Sequence, residues 1–212
     1  MKPTDTLLMI FTKNPELGKV KTRLAKSIGD KAALNIYKFL LSHTVSVTKN
    51  LKVEKRVYYS DKIPENDLWP SEAFSKKLQF GGNLGEKMKN AFSEAFQSDY
   101  KRVIIIGSDL LDLSQQDLEN AFLELEKNDV VIGPAEDGGY YLLGMKSLNS
   151  EVFKNKAWST SSVLSHTLKD LEGKKIKILE TRNDIDEIQD IEENSILKKF
   201  IESRTLGQSH ER

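Results

Sequence analysis

The sequence predicts a single-domain α/β protein with a mostly parallel, doubly wound sheet and helices on both faces. Short runs of bulky apolar residues at 6–12 (TLLMIFT), 102–107 (RVIIIG) and 129–133 (DVVIG) are typical of strands buried on both faces. Segments with apolar residues at helical spacing separate these runs along the chain. Strands that alternate with helices favour parallel pairing with right-handed crossovers, which gives this fold class.

The predicted elements follow one another with few interruptions. Strands are predicted at 6–12, 53–60, 78–80, 102–107, 129–133, 140–145 and 175–179. Helices are predicted at 22–27, 31–49, 84–97, 114–128, 161–171 and 187–202. Ser114 and Asp117 form a capping-box pattern, and Ser159 or Thr160 is expected to cap the following helix. We expect the strand at 140–145, which follows a glycine turn, to be antiparallel.

Length and composition limit the classes of function. A chain of 212 residues is near the length of one large domain, which we expect to cover residues 1–205, with a flexible tail at 206–212. Thirty-two basic residues balance 32 acidic ones, so no overall field favours nucleic acid or an anionic membrane. The absence of cysteine excludes disulfides and thiolate sites. No apolar run approaches the roughly 20 residues of a membrane span, and no signal-peptide pattern is present, so we expect a cytoplasmic protein.

The first strand is followed by a basic loop, KNPELGKVKTRLA, that opens a helix. In open α/β sheets, ligands bind outside the carboxyl ends of the strands, so this loop is a candidate binding segment. Arginine grips phosphate in bidentate fashion, lysine acts as a point charge, and the first N–H groups of a helix also attract phosphate. The loop is therefore a candidate diphosphate site, although it lacks the Walker A spacing. The alternative is a set of solvated surface lysines, with Arg23 paired to a nearby acid.

Carboxylates follow three of the other strands. Asp109 comes directly after the strand at 102–107, where it is poorly placed for packing and well placed to meet a cation. Glu136 and Asp137 precede two glycines, and Asp184 and Asp186 follow the last strand. Each also has a structural interpretation: Asp109 as a cap or turn former, Asp137 as part of a tight turn, and the last pair as a helix cap and a surface acid.

Oxygen ligands without cysteine favour Mg²⁺ or Mn²⁺ over zinc. Asp109 is the main candidate ligand, and either Asp184 or Asp186 would complete the site if both lie in an extended segment and point the same way. His43, His166 and His210 share no motif, and we expect structural or solvent roles for them.

Taken together, several motifs resemble those of one family. They are FTKNPELGKVKTRLA, GGNLGEKM, IIIGSDLLDLS, VVIGPAEDGGYYLLG, the WST at 158–160 and NDIDEIQDI. With these motifs in this order, nearly the whole chain is similar to the bacterial glycosyltransferase-like family DUF2064. The resemblance implies the GT-A fold of the nucleotide-diphospho-sugar transferases. The same fold serves sugar-1-phosphate and phospholactate nucleotidyltransferases, which the KTRL loop also resembles.

The resemblance implies a role for each motif. Lys13, Lys21 and Arg23 would hold the donor diphosphate, and Asp109 would bind the metal. The nucleotide would lie against Gly82, Asn83 and Gly85. The acceptor would face Gly138, Gly139, Tyr140, Trp158, Ser159 and Thr160. The sequence departs from the family pattern at Leu111, where a proline is usual, and at Asn83, where an aspartate is usual.

These features lead to three hypotheses. The first is a metal-dependent transfer of a sugar from a nucleoside diphosphate sugar to a small acceptor, with Asp137 or Glu136 taking the acceptor proton. The second is a nucleotidyltransferase that uses a nucleoside triphosphate and releases pyrophosphate. The third is a non-catalytic nucleotide-binding module.

Overall fold

A computed structural model describes residues 4–192 and 195–202. The predicted tail at 206–212, with His210, lies outside the described residues. Seven strands form one sheet: β1 (Thr6–Thr12), β2 (Glu54–Tyr59), β3 (Ser75–Leu78), β4 (Arg102–Ile106), β5 (Val130–Pro134), β6 (Tyr140–Met145) and β7 (Ile176–Ile178). Their order across the sheet is β3-β2-β1-β4-β6-β5-β7. β6 is antiparallel to both of its neighbours, as predicted, and the other pairs are parallel.

Helices cover both faces of this sheet, which confirms the predicted fold class. They are α1 (Thr22–Ile28), α2 (Asp30–Thr48), α3 (Leu84–Gln97), α4 (Gln115–Lys127), α5 (Val163–Asp170), α6 (Ile188–Glu192) and α7 (Ser195–Glu202), with a 3₁₀ turn at Ser150–Phe153. Alternate side chains of β1 point to opposite faces of the sheet, as they do in any β-strand. Leu8 and Ile10 pack in a cluster with residues of α2 and α4, whereas Leu7 and Met9 pack in a cluster with residues of α3.

A third core cluster lies away from the sheet and joins α1 and α2 to the C-terminal segment. Leu24 and Ile36 pack there with Ile185, Ile191 and Leu197, all of them buried. This packing fixes the chain just after residue 184 against the helix that follows the basic loop. No helix of the described part is long and apolar enough to cross a membrane.

Two local predictions are wrong. β3 covers Ser75–Leu78 rather than 78–80, because an edge strand needs no apolar alternation and the sequence SKKL shows none. Ser159 has a φ of 66° and Thr160 bonds the carbonyl oxygen of Ala157, so neither caps α5; its N-cap position is Ser162, without a side-chain cap. The C-terminal helix predicted at 187–202 corresponds to α6 and α7, which lie on either side of residues 193–194, outside the described residues.

Candidate active site

A cleft with two lobes opens at the carboxyl ends of β1 and β4. The larger lobe has a volume of about 560 Å³ and the smaller lobe about 240 Å³. Both lobes share the wall residues Phe11, Leu84, Gly107, Asp109, Asp137, Ser159 and Asp184. The cleft is therefore continuous, and the shared residues form the boundary between its lobes.

The basic loop begins in the larger lobe, where a network of hydroxyl groups holds its first residue. The backbone nitrogen of Lys13 donates a hydrogen bond to the hydroxyl of Tyr37, at 2.9 Å. That hydroxyl lies 3.0 Å from Oγ1 of Thr12 and 3.3 Å from Oγ of Ser108. Burial raises the pKa of Tyr37, so the phenol stays protonated. Because Tyr37 belongs to α2 and Ser108 follows β4, the network ties the loop to two other elements.

Lys21 lies at the base of the cleft with its side chain only 5% exposed. Its Nζ atom lies 2.8 Å from Oδ2 of Asp109 and 3.7 Å from Oδ1 of Asp186. Burial alone would lower the pKa of Lys21, but Asp109, Asp186 and Asp184 outweigh it and raise that pKa. The residue has a φ of 48°, a conformation that costs a non-glycine residue free energy. The ammonium group is therefore held charged between the loops that follow β1, β4 and β7.

Arg23 lies above this ion pair and is more than half exposed. Its Nη1 atom is 3.1 Å from Oδ2 of Asp186. Asp190 holds the backbone of the same segment, since its Oδ2 atom accepts hydrogen bonds from the N–H groups of residues 186 and 187. Asp190, rather than Asp184 or Asp186, thus provides the cap that the sequence suggested for this segment. Asp184 and Asp186 both line the larger lobe.

Asp184 differs from its neighbours because its carboxylate has no hydrogen bond within the described part of the chain. Burial raises its pKa to about 6, with further upward contributions from Asp109, Asp137 and Asp186. Lys21 opposes this shift without cancelling it. Residues 4–192 and 195–202 contain no ready-made set of three His, Asp or Glu ligands for a metal. The site therefore holds an excess of negative charge beside a buried ammonium group.

The turn between β5 and β6 forms one wall of the smaller lobe. Asp137 lines both lobes, and its Oδ1 atom accepts a hydrogen bond from the N–H of Gly139 at 2.8 Å. Gly138 has a φ of 85°, and a Cβ atom there would lie 2.3 Å from the carbonyl oxygen of Ser161. Tyr140 also lines the smaller lobe. Its hydroxyl is buried without a hydrogen-bond partner among the described residues, and burial raises its pKa.

Trp158, Ser159 and Thr160 form another part of the wall of the smaller lobe. The ring of Trp158 packs against the first turn of α3, where a Cβ atom on Gly85 would lie 2.6 Å from Cζ2 of Trp158. The segment before the tryptophan is held by an ion pair between Lys156 and Asp170 of α5. Gly85 therefore permits the close approach that gives this lobe an aromatic wall.

Most of the site residues predicted from the sequence meet in this cleft, and a few lie elsewhere. Glu136, Gly82, Asn83, Gly85 and Gly138 line neither lobe. Asn83 instead caps α3, since its side chain accepts a hydrogen bond from the N–H of Glu86, and Glu86 in turn accepts one from the N–H of Gly82.

Several residues of the larger lobe were not predicted from the sequence. They include Gln79, Lys87, Tyr37, Ser60 and Ser108. The amide nitrogen of Gln79 donates hydrogen bonds to the carbonyl oxygens of Thr12 and Tyr58, at 3.1 and 3.0 Å. Two of them could have been predicted from their position in the sequence. Gln79 and Ser60 come directly after β3 and β2, at the edge of the sheet where ligands bind.

Comparisons with known proteins agree with this fold. The family model described as "Uncharacterized protein conserved in bacteria (DUF2064)" matches residues 44–160. The chain is similar to the crystal structure of a "putative nucleotide-diphospho-sugar transferase" from Desulfovibrio desulfuricans G20, with a TM-score of 0.86, 28% identity and 96% coverage of each chain. No curated protein matches the sequence.

Two more distant structures share the fold alone. One is the 4-diphosphocytidyl-2C-methyl-D-erythritol synthase of Anaerococcus prevotii DSM 20548, with a TM-score of 0.56 and 10% identity over 93% of this chain and 100% of that one. The other is a cytidylyltransferase from Leptospira borgpetersenii serovar Hardjo-bovis, with a TM-score of 0.58 and 12% identity over 97% and 96% of the two chains. The family match covers more than half of the sequence, so the chain belongs to the DUF2064 family of bacterial proteins.

Proposed function

We propose that this protein is a divalent-metal-dependent transferase that moves a sugar from a nucleoside diphosphate sugar to a small hydroxyl-bearing acceptor. One observation carries the proposal: the buried Lys21 ammonium lies in the wall of the lobe that is rich in cations and pairs with Asp109, which borders the lobe without cations. The similarity to the nucleotide-diphospho-sugar transferase structure, at 28% identity over 96% of both chains, supports it.

The donor diphosphate is assigned to the larger lobe. Lys13, Lys21, Arg23 and Lys87 all line this lobe, which contains more basic residues than the rest of the cleft. Arginine and lysine supply charge-assisted hydrogen bonds to phosphate oxygens. A volume of about 560 Å³ falls within the roughly 300–1,000 Å³ of ordinary ligand sites. The nucleoside would extend toward Ser60 and Gln79, and the sugar toward the boundary with the smaller lobe.

The donor chemistry of the carboxylates fits a divalent cation. Asp109, Asp184 and Asp186 offer only oxygen atoms, which Mg²⁺ and Mn²⁺ prefer. Burial, with smaller contributions from Asp109, Asp137 and Asp186, raises the pKa of Asp184, and a bound cation would lower it. We assign these three residues as the candidate ligands. They do not form a preformed set among the described residues, and Lys21 pairs with two of them, so a cation would bind only as their side chains rearrange. When bound, the cation would neutralise charge on the departing diphosphate.

The other catalytic roles are assigned to residues of the protein. Lys21 and Arg23 stabilise the negative charge that develops as the diphosphate leaves. Asp137 borders both lobes and is assigned as the base that takes the proton of the acceptor hydroxyl. Glu136, the other candidate base, lies outside both lobes, so Asp137 is the better placed of the two.

Donor binding and hydrolysis test this function without knowledge of the acceptor. The protein is incubated with Mn²⁺ and a panel of nucleoside diphosphate sugars, while thermal stability and nucleoside diphosphate release are measured. We expect at least one donor to raise the melting temperature, since a ligand of the folded state stabilises it, and to be slowly hydrolysed. If neither effect appears with any donor, the proposed function is wrong.

A nucleotidyltransferase is the second candidate, because four basic residues around the larger lobe would also suit a triphosphate. The products separate the two reactions. Release of pyrophosphate from a nucleoside triphosphate would support the second candidate, and release of nucleoside diphosphate from a sugar donor supports the first. Binding of an unaltered nucleotide after long incubation would instead support a non-catalytic module.

A further inference from the structure

We propose that the smaller lobe selects an uncharged acceptor, a small alcohol or phenol with an apolar body, and rejects phosphorylated and carboxylated acceptors. The inference rests on the proposed function and adds the chemical class of the acceptor. It comes from the contrast between the walls of the two lobes.

The charged residues of the cleft are segregated. The described wall of the smaller lobe contains Asp109, Asp137 and Asp184 and includes no lysine, arginine or histidine. All four basic residues of the cleft line the larger lobe. An anionic acceptor in the smaller lobe would therefore face Asp137, which forms no ion pair among the described residues, whereas Asp109 and Asp184 are shared with the larger lobe and its cations. Like-charge contacts of this kind strongly disfavour binding, so the lobe discriminates against anions.

The uncharged part of the same wall is largely apolar. Its side chains include Phe11, Leu84, Met88, Tyr140, Trp158 and Val163. Leu84 remains 43% exposed, so part of this apolar surface is open to a ligand. Trp158 is held in place by its contact with α3, which gives the lobe a fixed aromatic face. Such a wall gains free energy when it covers the apolar body of a ligand.

The size of the lobe limits the acceptor further. Its volume of about 240 Å³ is below the roughly 300–1,000 Å³ of sites for larger ligands. A single ring or a short branched chain fits this volume better than an oligosaccharide or a peptide. The volume therefore favours a small molecule as the acceptor.

Transfer of the sugar to this acceptor requires no reagent other than the donor and the acceptor. The acceptor oxygen forms a bond to the anomeric carbon of the donor sugar, and the bond from that carbon to the diphosphate oxygen breaks. The diphosphate leaves with the bonding electron pair, and the hydroxyl proton passes to the carboxylate of Asp137. Asp137 suits this role because it borders both lobes.

A matched set of acceptors tests the inference. With Mn²⁺ and the donor that is hydrolysed fastest, transfer is measured to 4-hydroxybenzyl alcohol, 4-hydroxybenzoate, glycerol and glycerol 3-phosphate. We expect kcat/KM for 4-hydroxybenzyl alcohol to exceed that for 4-hydroxybenzoate about 100-fold, because only the charge differs strongly. It should exceed that for glycerol about tenfold or more, because glycerol lacks the apolar body.

A variant with a cation in the lobe gives a second test. Thr160 is exposed and lines the smaller lobe, so Thr160→Lys adds a positive charge there and Thr160→Met serves as the uncharged control. We expect Thr160→Lys, but not Thr160→Met, to raise the ratio of transfer to 4-hydroxybenzoate over 4-hydroxybenzyl alcohol at least tenfold.

The outcomes separate this inference from the proposed function. Donor hydrolysis with no transfer to either neutral alcohol, or with preferred transfer to 4-hydroxybenzoate or glycerol 3-phosphate, overturns the acceptor inference and leaves the proposed function standing. Absence of both donor binding and hydrolysis overturns the two together. An unchanged selectivity ratio in Thr160→Lys also contradicts the inference.

Discussion

The ammonium nitrogen of Lys21 lies 2.8 Å from a carboxylate oxygen of Asp109, and this ion pair joins the loop after β1 to the loop after β4. The two strands are paired in parallel, with Ile10 opposite Ile106, so their carboxyl ends lie side by side. Eighty-eight positions separate the two residues in the sequence, and the sheet alone brings them together.

Lys21→Met is expected to lower both stability and donor affinity. The change leaves Asp109 and Asp186 without their buried partner, and an unpaired polar group of this kind costs about 1–3 kcal/mol. Urea denaturation and nucleotide titration measure the two effects. Lys19→Met is the matched control, because Lys19 belongs to the same loop but forms an exposed pair with Glu16, which contributes little to stability. Equal effects of the two substitutions would contradict the role assigned to Lys21.

Asp109→Asn is expected to reduce turnover about 10²–10³-fold, as loss of one electrostatic group in an active site commonly does. The variant also removes the nearest carboxylate partner of the buried Lys21 ammonium, so the melting temperature of the metal-free protein should fall as well. The stabilisation by Mn²⁺ should also weaken. Asp112→Asn is the control, since Asp112 lies three residues later and pairs with Arg182 outside the cleft. Full turnover by Asp109→Asn would exclude the residue from the mechanism.

Gly85→Ala is expected to displace Trp158 and weaken acceptor binding. The new Cβ atom would lie 2.6 Å from the indole ring and 2.7 Å from the carbonyl oxygen of Phe153, so something must shift, at a cost of about 1–3 kcal/mol. Tryptophan fluorescence and the KM for the acceptor report the change. Gly82→Ala is the control, because its Cβ atom would meet only a carboxylate oxygen of Glu86 at 3.3 Å. An unchanged fluorescence spectrum in Gly85→Ala would contradict this account.

Tyr37→Phe is expected to loosen the start of the basic loop. The N–H of Lys13 loses its acceptor, which costs about 1–3 kcal/mol, and the hydroxyls of Thr12 and Ser108 lose a shared neighbour. We expect the KM for the donor to rise more than kcat falls. Tyr58→Phe, which removes a hydroxyl bonded to Arg56 away from the cleft, should leave the donor KM unchanged. A donor KM that rises equally in both variants would rule out a specific role for Tyr37.

Asp67 is expected to make stability depend on pH in the acid range. Burial alone would raise its pKa, but hydrogen bonds from Lys76, the Tyr59 hydroxyl and the Trp69 N–H outweigh burial and lower the pKa of Asp67 in the folded protein. Because the pKa of Asp67 in the folded protein lies below the unfolded value of about 3.9, the ionised carboxylate stabilises the folded protein. This contribution to stability is fully present above about pH 3.9. The contribution is lost as the pH falls through the folded-state pKa.

The measurement for Asp67 is urea denaturation of the protein and of Asp67→Asn between pH 3 and pH 8. The stability difference should be constant from pH 8 to about pH 5 and should shrink below about pH 4. Asp99→Asn is the control, because Asp99 is exposed and shows no such network. A difference that grows as the pH falls would reverse the sign argued here.

The sequence predicted the features that depend on local pattern. β1, α3 and β6 begin and end as predicted, because each combines a clear apolar pattern with a terminating loop or glycine. Asp109 could be proposed as a site residue because a carboxylate directly after a buried strand has few packing roles. Ligands of open α/β sheets bind at the carboxyl ends of the strands, so Lys21, Asp137 and Asp184 could also be predicted to lie in one cleft.

The remaining features depend on contacts between distant segments. Gly85 was expected beside the nucleotide, yet its lack of a side chain serves Trp158, which lies 73 positions later. Gln79 donates hydrogen bonds to the carbonyl oxygens of Thr12 and Tyr58, near the ends of β1 and β2. Its position in the cleft was not predicted, because the predicted strand at 78–80 included it, whereas β3 ends at Leu78. The pairing of Lys21 with Asp186 depends on the packing of Ile185 and Ile191 against α1 and α2, which no local pattern shows.

The reversed direction of β6 places a tight turn in the wall of the cleft. β6 lies between β4 and β5 and runs against both, so the chain leaves the cleft edge along β6 immediately after reaching it along β5. The intervening turn at 135–139 is bonded to two other segments, since the N–H of Glu136 donates to the carbonyl oxygen of Arg182 and the carbonyl oxygen of Gly138 accepts from the N–H of Leu164. A change in the length of this turn would therefore disturb α5 and the segment after β7 together with the smaller lobe, whereas the register of β1 and β4 beside Lys21 and Asp109 is set elsewhere.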